Sequence, residues 1–225
     1  MLFGPPKGPP KDFKAIHSQA IGAVQAGLSK GLDRLEVEFP PLASLNKMGD
    51  GSAKNRGLML KSNCDFVKKL AGSLALTRKV WLIACDASGL QELQRLSVTA
   101  LPGRIEVSSL RDADVCRGDV AVVLAPADVE QWKQAKRLST EAGAKVVICN
   151  GLFNAGYSTF ETAYYFKPIS SWGYLLRQYP QDWTAYVAGS NAVASCKVEV
   201  LQQGSIKRPN LAKVAMLLQS EYNKA

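Results

Sequence analysis

Asp119-Val120-Ala121-Val122-Val123-Leu124-Ala125-Pro126 and, one helix length further on, Lys145-Val146-Val147-Ile148-Cys149-Asn150 are the stretches that decide the fold. Both are continuous apolar runs rather than alternating ones, the composition of strands covered on both faces in a parallel sheet. Between them, Pro126 stands where the first turn of a helix accepts proline, and the segment to Gly143 predicts that helix. Strand, helix and second doubly covered strand make a βαβ unit, and the class is α/β.

Working outward, Val80–Cys85 reads as another buried strand. A helix over Leu58–Leu76 leads into it, with Phe66, Val67, Leu70 and Leu74 at helical spacing. Ser88–Val98 reads as helix, and Ile105 and Val107 mark a short strand. Near the start, Asp12 is a helix cap, followed by Ile16, Ala20, Ala23, Val24 and Leu28 until Gly31 offers a stop. Leu35, Val37 and Phe39 then alternate with Arg34, Glu36 and Glu38, which predicts a strand with one polar face, ended by Pro40-Pro41. The stretch from there to Gly57 reads as loop. After Asn150 the character changes: the 34 residues from Phe153 to Tyr186 hold 11 of the 18 aromatics. The β-type runs Thr162–Ile169, Tyr174–Gln178 and Trp183–Ala188 predict hairpins. A further strand is expected over Cys196–Leu201, and Pro209 opens a final helix through Tyr222. The expected architecture is a Rossmann-like, mostly parallel sheet flanked by helices and extended by antiparallel strands in the C-terminal third. It forms a single domain over residues 12–225, preceded by a proline-rich arm over residues 1–11.

With 225 residues, 47% apolar and 21% charged, the chain has ordinary globular composition, and folding at this length hides roughly 70% of the unfolded surface. Its longest apolar runs fall far short of the ~20 residues that cross a bilayer. Met1–Lys11 carries Pro5, Pro6, Pro9 and Pro10 and lacks the apolar stretch of a secretory signal. The formal charge is +9, and residues 1–60, 61–159 and 160–225 each contribute +3. A phosphate-binding footprint needs charge clustered on one face or helix, and no run supplies it, which argues against nucleic acid. Net charge of this sign supports attraction to an anionic surface such as a thylakoid membrane, or to an acidic partner. Cys64, Cys85, Cys116, Cys149 and Cys196 are scattered, the pattern of small buried hydrophobes in a reducing compartment.

Few stretches of the chain carry the spacing that chemistry requires. Gly49, Gly51, Lys54 and Gly57 miss the spacing of a phosphate loop, and Cys85-Asp86-Ala87-Ser88-Gly89 offers one glycine where a dinucleotide turn needs three. His17, the one histidine, has no serine or cysteine signature pointing to it and reads as a surface or boundary residue. Asp112, Asp114 and Asp119 read as turn and cap acids, and Glu36 and Glu38 as a solvated sheet face or an acidic contact strip. No catalytic residue, metal ligand or cofactor site is assigned. Trp172, Tyr174, Arg177, Tyr179, Pro180 and Trp183 are either hairpin core or interface anchors, being residue types that join contact area to a polar handle. The proline arm, pre-extended and losing little entropy on docking, is the second interface candidate.

The ordered series Arg34-Leu35-Glu36-Val37-Glu38-Phe39-Pro40-Pro41, Leu101-Pro102-Gly103-Arg104, Val122-Val123-Leu124-Ala125-Pro126, Val147-Ile148-Cys149-Asn150-Gly151, Arg177-Gln178-Tyr179-Pro180-Gln181-Asp182-Trp183 and Arg208-Pro209 resembles a plastid and cyanobacterial domain of unknown function. That domain makes up proteins of the low-photosystem-II-accumulation type and follows the kinase in some chloroplast adenylate kinases. The resemblance spans roughly residues 12 to 222. It implies a plastid stromal, thylakoid-associated address, no established catalysis, and, for photosystem-linked members, a supporting role in photosystem assembly. The expectation is a non-enzymatic protein docking on photosystem core or antenna proteins, as assembly factor or peripheral subunit. Two alternatives stay open. A ligand-binding or enzymatic α/β domain would use the strand ends at Asp86–Gly89, Pro126–Asp128 and Asn150–Gly156, and an RNA-binding factor would bind with steep salt dependence.

Overall fold

The computed structural model describes residues 9–40, 53–97, 103–151, 159–188, 195–197, 201–203 and 206–224. Helix α1 (Phe13–Ser29) starts at Asp12, whose carboxylate accepts from the Ala15 amide at 2.7 Å, and stops at Gly31, where φ is +82°. A left-handed residue ends a helix without steric cost when it is glycine. There follow β1 (Arg34–Glu38), α2 (Ala53–Leu74), β2 (Val80–Ala84), α3 (Ala87–Ser97), β3 (Ile105–Ser109), β4 (Val120–Leu124), α4 (Val129–Thr140) and β5 (Lys145–Cys149). The C-terminal third supplies β6 (Glu161–Ile169), β7 (Gly173–Gln178), β8 (Thr184–Val187), β9 (Ser195–Lys197), β10 (Leu201–Gln203), β11 (Ile206–Arg208) and α5 (Leu211–Tyr222).

Nine strands form one sheet in the order β3-β2-β4-β5-β1-β6-β7-β8-β9, parallel from β3 to β6 and antiparallel from β6 to β9. The α/β class and the antiparallel extension therefore stand as the sequence predicts. Strands β2 and β4 are buried at all five positions because helices cover both faces. On the first face, Leu35, Val37, Leu82 and Val122 pack under α1, α2 and α3. On the second, Ile83, Val123 and Ile148 pack under α4, and Tyr165, Leu175 and Ala185 under α5.

Local expectations shift in four places. Helix α2 begins at Ala53 rather than after Gly57, because Lys54, Asn55 and Arg56 continue a helix that the mid-helix glycine weakens by only ~1 kcal/mol. Pro126 precedes α4 instead of opening it: Asp128 is the N-cap, accepting from the Gln131 amide at 2.9 Å. The strand expected over Cys196–Leu201 is two. Ser195–Lys197 extends the main sheet, whereas Leu201–Gln203 pairs with Ile206–Arg208 as a separate ribbon. Pro209 likewise stands outside α5, whose cap is Asn210.

Strand β3 lies to one side of β2 and β5 to the opposite side of β4. The connections leaving β2 and β4 diverge accordingly, α3 to the first face and α4 to the second. That divergence makes the crevice beyond Ala84 and Leu124 the topological switch point, where open α/β sheets place their ligands.

Candidate functional site

A cleft of about 430 Å³ occupies the switch point. Ala84, Leu90 and Leu110 contribute apolar surface, and Asp86, Asp128, Glu130 and Arg111 contribute charge. Two helices begin at its edge, and both beginnings are already occupied. Asp86 accepts from the Gly89 amide at 2.6 Å and Asp128 from the Gln131 amide at 2.9 Å. In nucleotide-binding folds those free amides and the positive helix end hold phosphate. Here the carboxylates take their place, and their charge opposes a second anion.

Gln131 fixes the entrance: its Oε1 accepts from the Ala127 amide at 2.6 Å, and its Nε2 donates to the Cys85 carbonyl at 3.2 Å. The first turn of α4 is thereby tied to the end of β2. Burial, and then the charges of Asp86 and Asp128, push the Cys85 thiol up to about 12, so the sulfur is held protonated. Glu130 pairs with Lys133 at 2.7 Å. Ala125 and Asn150, directly after β4 and β5, hold φ of +46° and +50°, left-handed backbone at adjacent strand ends.

Of the strand-end residues expected there, Asp86, Ala87 and Asp128 line this cleft, and Asn150 has another task. Its Oδ1 accepts from the Phe39 amide and its Nδ2 donates to Asn63 Oδ1, each at 2.8 Å, joining β1, β5 and α2 inside the core. Residues 152–156 lie outside the described residues. Two of the three acids read as turn acids behave so: Asp112 accepts from Ser109 Oγ, and Asp119 accepts from Trp81 Nε1 at 2.9 Å and the Cys116 amide at 3.1 Å.

Two other readings are corrected. His17, expected at the surface or boundary, is buried, with its ring among Phe13, Phe39 and Phe66 at centroid distances of 6.0, 5.8 and 5.2 Å. Glu36 and Glu38 do share a face, but the face is not solvated. Glu36 is 0% exposed, and Arg208 ion-pairs with both carboxylates, at 2.6 and 2.9 Å. The Arg208 guanidinium also lies over the Tyr165 ring, 5.3 Å from its centroid. Burial works against its charge, and the two carboxylates outweigh burial, so its pKa rises above the ordinary guanidinium value. Nothing near Glu36 in sequence signals this, because its partner follows on the ribbon before α5.

Among the interface candidates, Pro5 and Pro6 lie outside the described residues, and Pro9 and Pro10 are half-buried. Trp183 is interior at 1% exposure, with Tyr165 edge-on at 5.0 Å, and offers no surface to a partner. Arg177 is spent inward as well: its Nε donates to the Thr162 carbonyl at 2.8 Å, its Nη2 pairs with Glu161, and it lies over Trp183. Trp172, Tyr174 and Tyr179 are half-buried and Pro180, after a cis peptide bond, is exposed. The β1–β6 register slips at Ala163; beside it the Thr162 carbonyl accepts from Arg177, and the Ala163 carbonyl continues the β6–β7 ladder by accepting from the Tyr179 amide.

Fold and cleft together define an open, mostly parallel α/β protein whose switch-point crevice is rimmed by carboxylates seated on its own helix ends. The chain belongs to the family described as Domain of unknown function (DUF1995), whose model matches residues 10–216. No curated protein and no solved structure matches it. Among the described residues, no helix is long and apolar enough to cross a membrane.

Proposed function

We propose that this chain is a non-enzymatic plastid protein that docks on the stromal face of a photosystem or its antenna, as a peripheral subunit or assembly factor. The address and the partner rest on the resemblance set out above, with which the family match over residues 10–216 agrees. The observation that carries the non-enzymatic part is where the resembling motifs come together. Glu36, Glu38 and Arg208 meet as a buried ion cluster, Asn150 holds Phe39, and Arg177 pins the bulged strand. These contacts hold the fold, and such a scaffold acts through its surfaces. With Arg177 and Trp183 turned inward, the remaining docking surface is the proline arm, the exposed Pro180 beyond β7, and the helical faces.

The test is affinity recovery of the tagged chain from solubilised thylakoids. Photosystem core or antenna polypeptides in the eluate support the proposal, and recovery as a free monomer overturns it. The cleft favours a second reading, a small-ligand site that takes no phosphate. On either reading, millimolar ATP or NAD leaves the melting temperature where it was; a rise of several degrees would restore a nucleotide-using enzyme.

A further inference from the structure

We infer that the outer face of the α1–α2 pair is a docking surface for an anionic lipid bilayer. Summed over thirds of the chain the charge excess is even, but two segments that folding brings onto one face carry most of it. Lys11–Lys30 and Ala53–Leu74 together hold eight Lys and Arg against Asp12 and Asp65, a net +6 of the chain's +9. Both helices lie on the first face of the sheet and share one core cluster. The opposite face is balanced: α4 with Asp128 and Glu141 sums to zero, and so does α5, with Lys213 against Glu221.

The cations are turned outward. Lys11, Lys14, Lys30, Arg56 and Lys61 are exposed, while Phe66, Val67, Leu70 and Leu74 on the other side of α2 are buried. Asp12 is consumed in capping α1. Lys69 Nζ lies 3.3 Å from His17 Nδ1, which fixes the two helices against each other. Leu58, one turn before Lys61, is 45% exposed, an apolar side chain set among cations.

This combination fits a bilayer better than a nucleic acid. Lysines with an exposed leucine match an interfacial helix face, where ammonium groups meet lipid headgroups and the apolar side chain enters the acyl boundary. Single-stranded nucleic acid is held by rings on which bases stack. The rings of these helices, Phe13, His17 and Phe66, all face the core or its edge, with His17 and Phe66 buried. The inference deepens the docking proposal by naming a face, and it rests on that reading only for the biological source of the membrane.

The experiment is co-sedimentation of the full chain with phosphatidylcholine vesicles, with and without phosphatidylglycerol, at low and high salt. The chain is expected to pellet with the anionic vesicles alone and to be released by salt. Each unit of charge contributes about fivefold to partitioning, so Lys14→Glu with Lys61→Glu lowers it by well over tenfold. Lys136→Glu with Lys213→Glu, the same charge change on the opposite face, leaves most of it. Unchanged melting temperatures show that both variants fold. Absence of vesicle binding overturns the inference, as does equal loss in the two variants. Capture of a single-stranded RNA oligonucleotide, lost in the Lys14/Lys61 variant while vesicles go unbound, reassigns the face to nucleic acid. Since no photosystem protein is present, failure here leaves thylakoid recovery to be judged separately, and retained vesicle binding survives failure of the photosystem reading.

Discussion

At His17, a lysine ammonium 3.3 Å from Nδ1 makes that nitrogen the acceptor, so the ring proton resides on Nε2. Nε2 has no hydrogen-bond partner among the described residues and sits among phenylalanine rings. Burial first, and the Lys69 charge second, hold the imidazole below its usual pKa, with Asp65 opposing. The folded value therefore lies below the unfolded one of about 6.5, and between them the unfolded chain binds more protons. This contribution to stability is complete above about pH 6.5 and is lost as pH falls through the folded value. His17→Phe is expected to flatten that limb, seen as a smaller difference in urea midpoint between pH 7 and pH 5 than in the wild type. The Glu36–Arg208–Glu38 cluster gives a second expectation. Arg208→Ala leaves two carboxylates without their cation, one at 0% exposure, and is predicted to cost about 3–5 kcal/mol in denaturant unfolding. Alternation showed that Glu36 and Glu38 share a face. It could not show that a residue 170 positions from Glu38 closes over them.

Among elements, the buried parallel strands were the most legible, because β2, β4 and β5 bury nearly every side chain and leave continuous apolar runs. The start of α1 was legible from its Asp12 cap, whereas those of α4 and α5, capped by Asp128 and Asn210, were misread because proline drew the boundary too early, at Pro126 and Pro209. The hairpins were placed correctly, but which of their aromatics face solvent was not, since that depends on which distant helices cover each face. Strand β7 also carries a position whose demand is spatial. A Cβ at Gly173 would collide with the Tyr186 carbonyl oxygen of β8 and press on Leu218 of α5. Gly173→Ala is expected to destabilise by about 3 kcal/mol, the upper end for overpacking because backbone cannot yield as a side chain can. Thermal unfolding measures it, and an unchanged midpoint would sink the β7–β8 packing described.

Across the whole molecule the sheet is unevenly secured. The parallel centre is covered by α1, α2 and α3 on one face and α4 on the other, whereas α5 alone covers the second face of the antiparallel extension through Val214 and Leu218. Local opening follows contact density. Hydrogen–deuterium exchange should therefore find the amides of β2, β4 and β5 slowest and those of β8 clearly faster; uniform protection across the sheet would contradict this. The cleft was legible as a location, because strand ends at a switch point follow from strand order, but its character was not. Only the fold turns Asp86 and Asp128 onto two neighbouring helix ends. Sequence alone determined the class, the strand and helix periodicities and the antiparallel C-terminal third, because burial on one or both faces is written in local apolar spacing. Tertiary structure decided the ion cluster at Arg208, the burial of His17 and the placing of the two cation-rich segments, α1 and α2, on one face. Each of these depends on which distant segments share a face, and local periodicity carries no record of that.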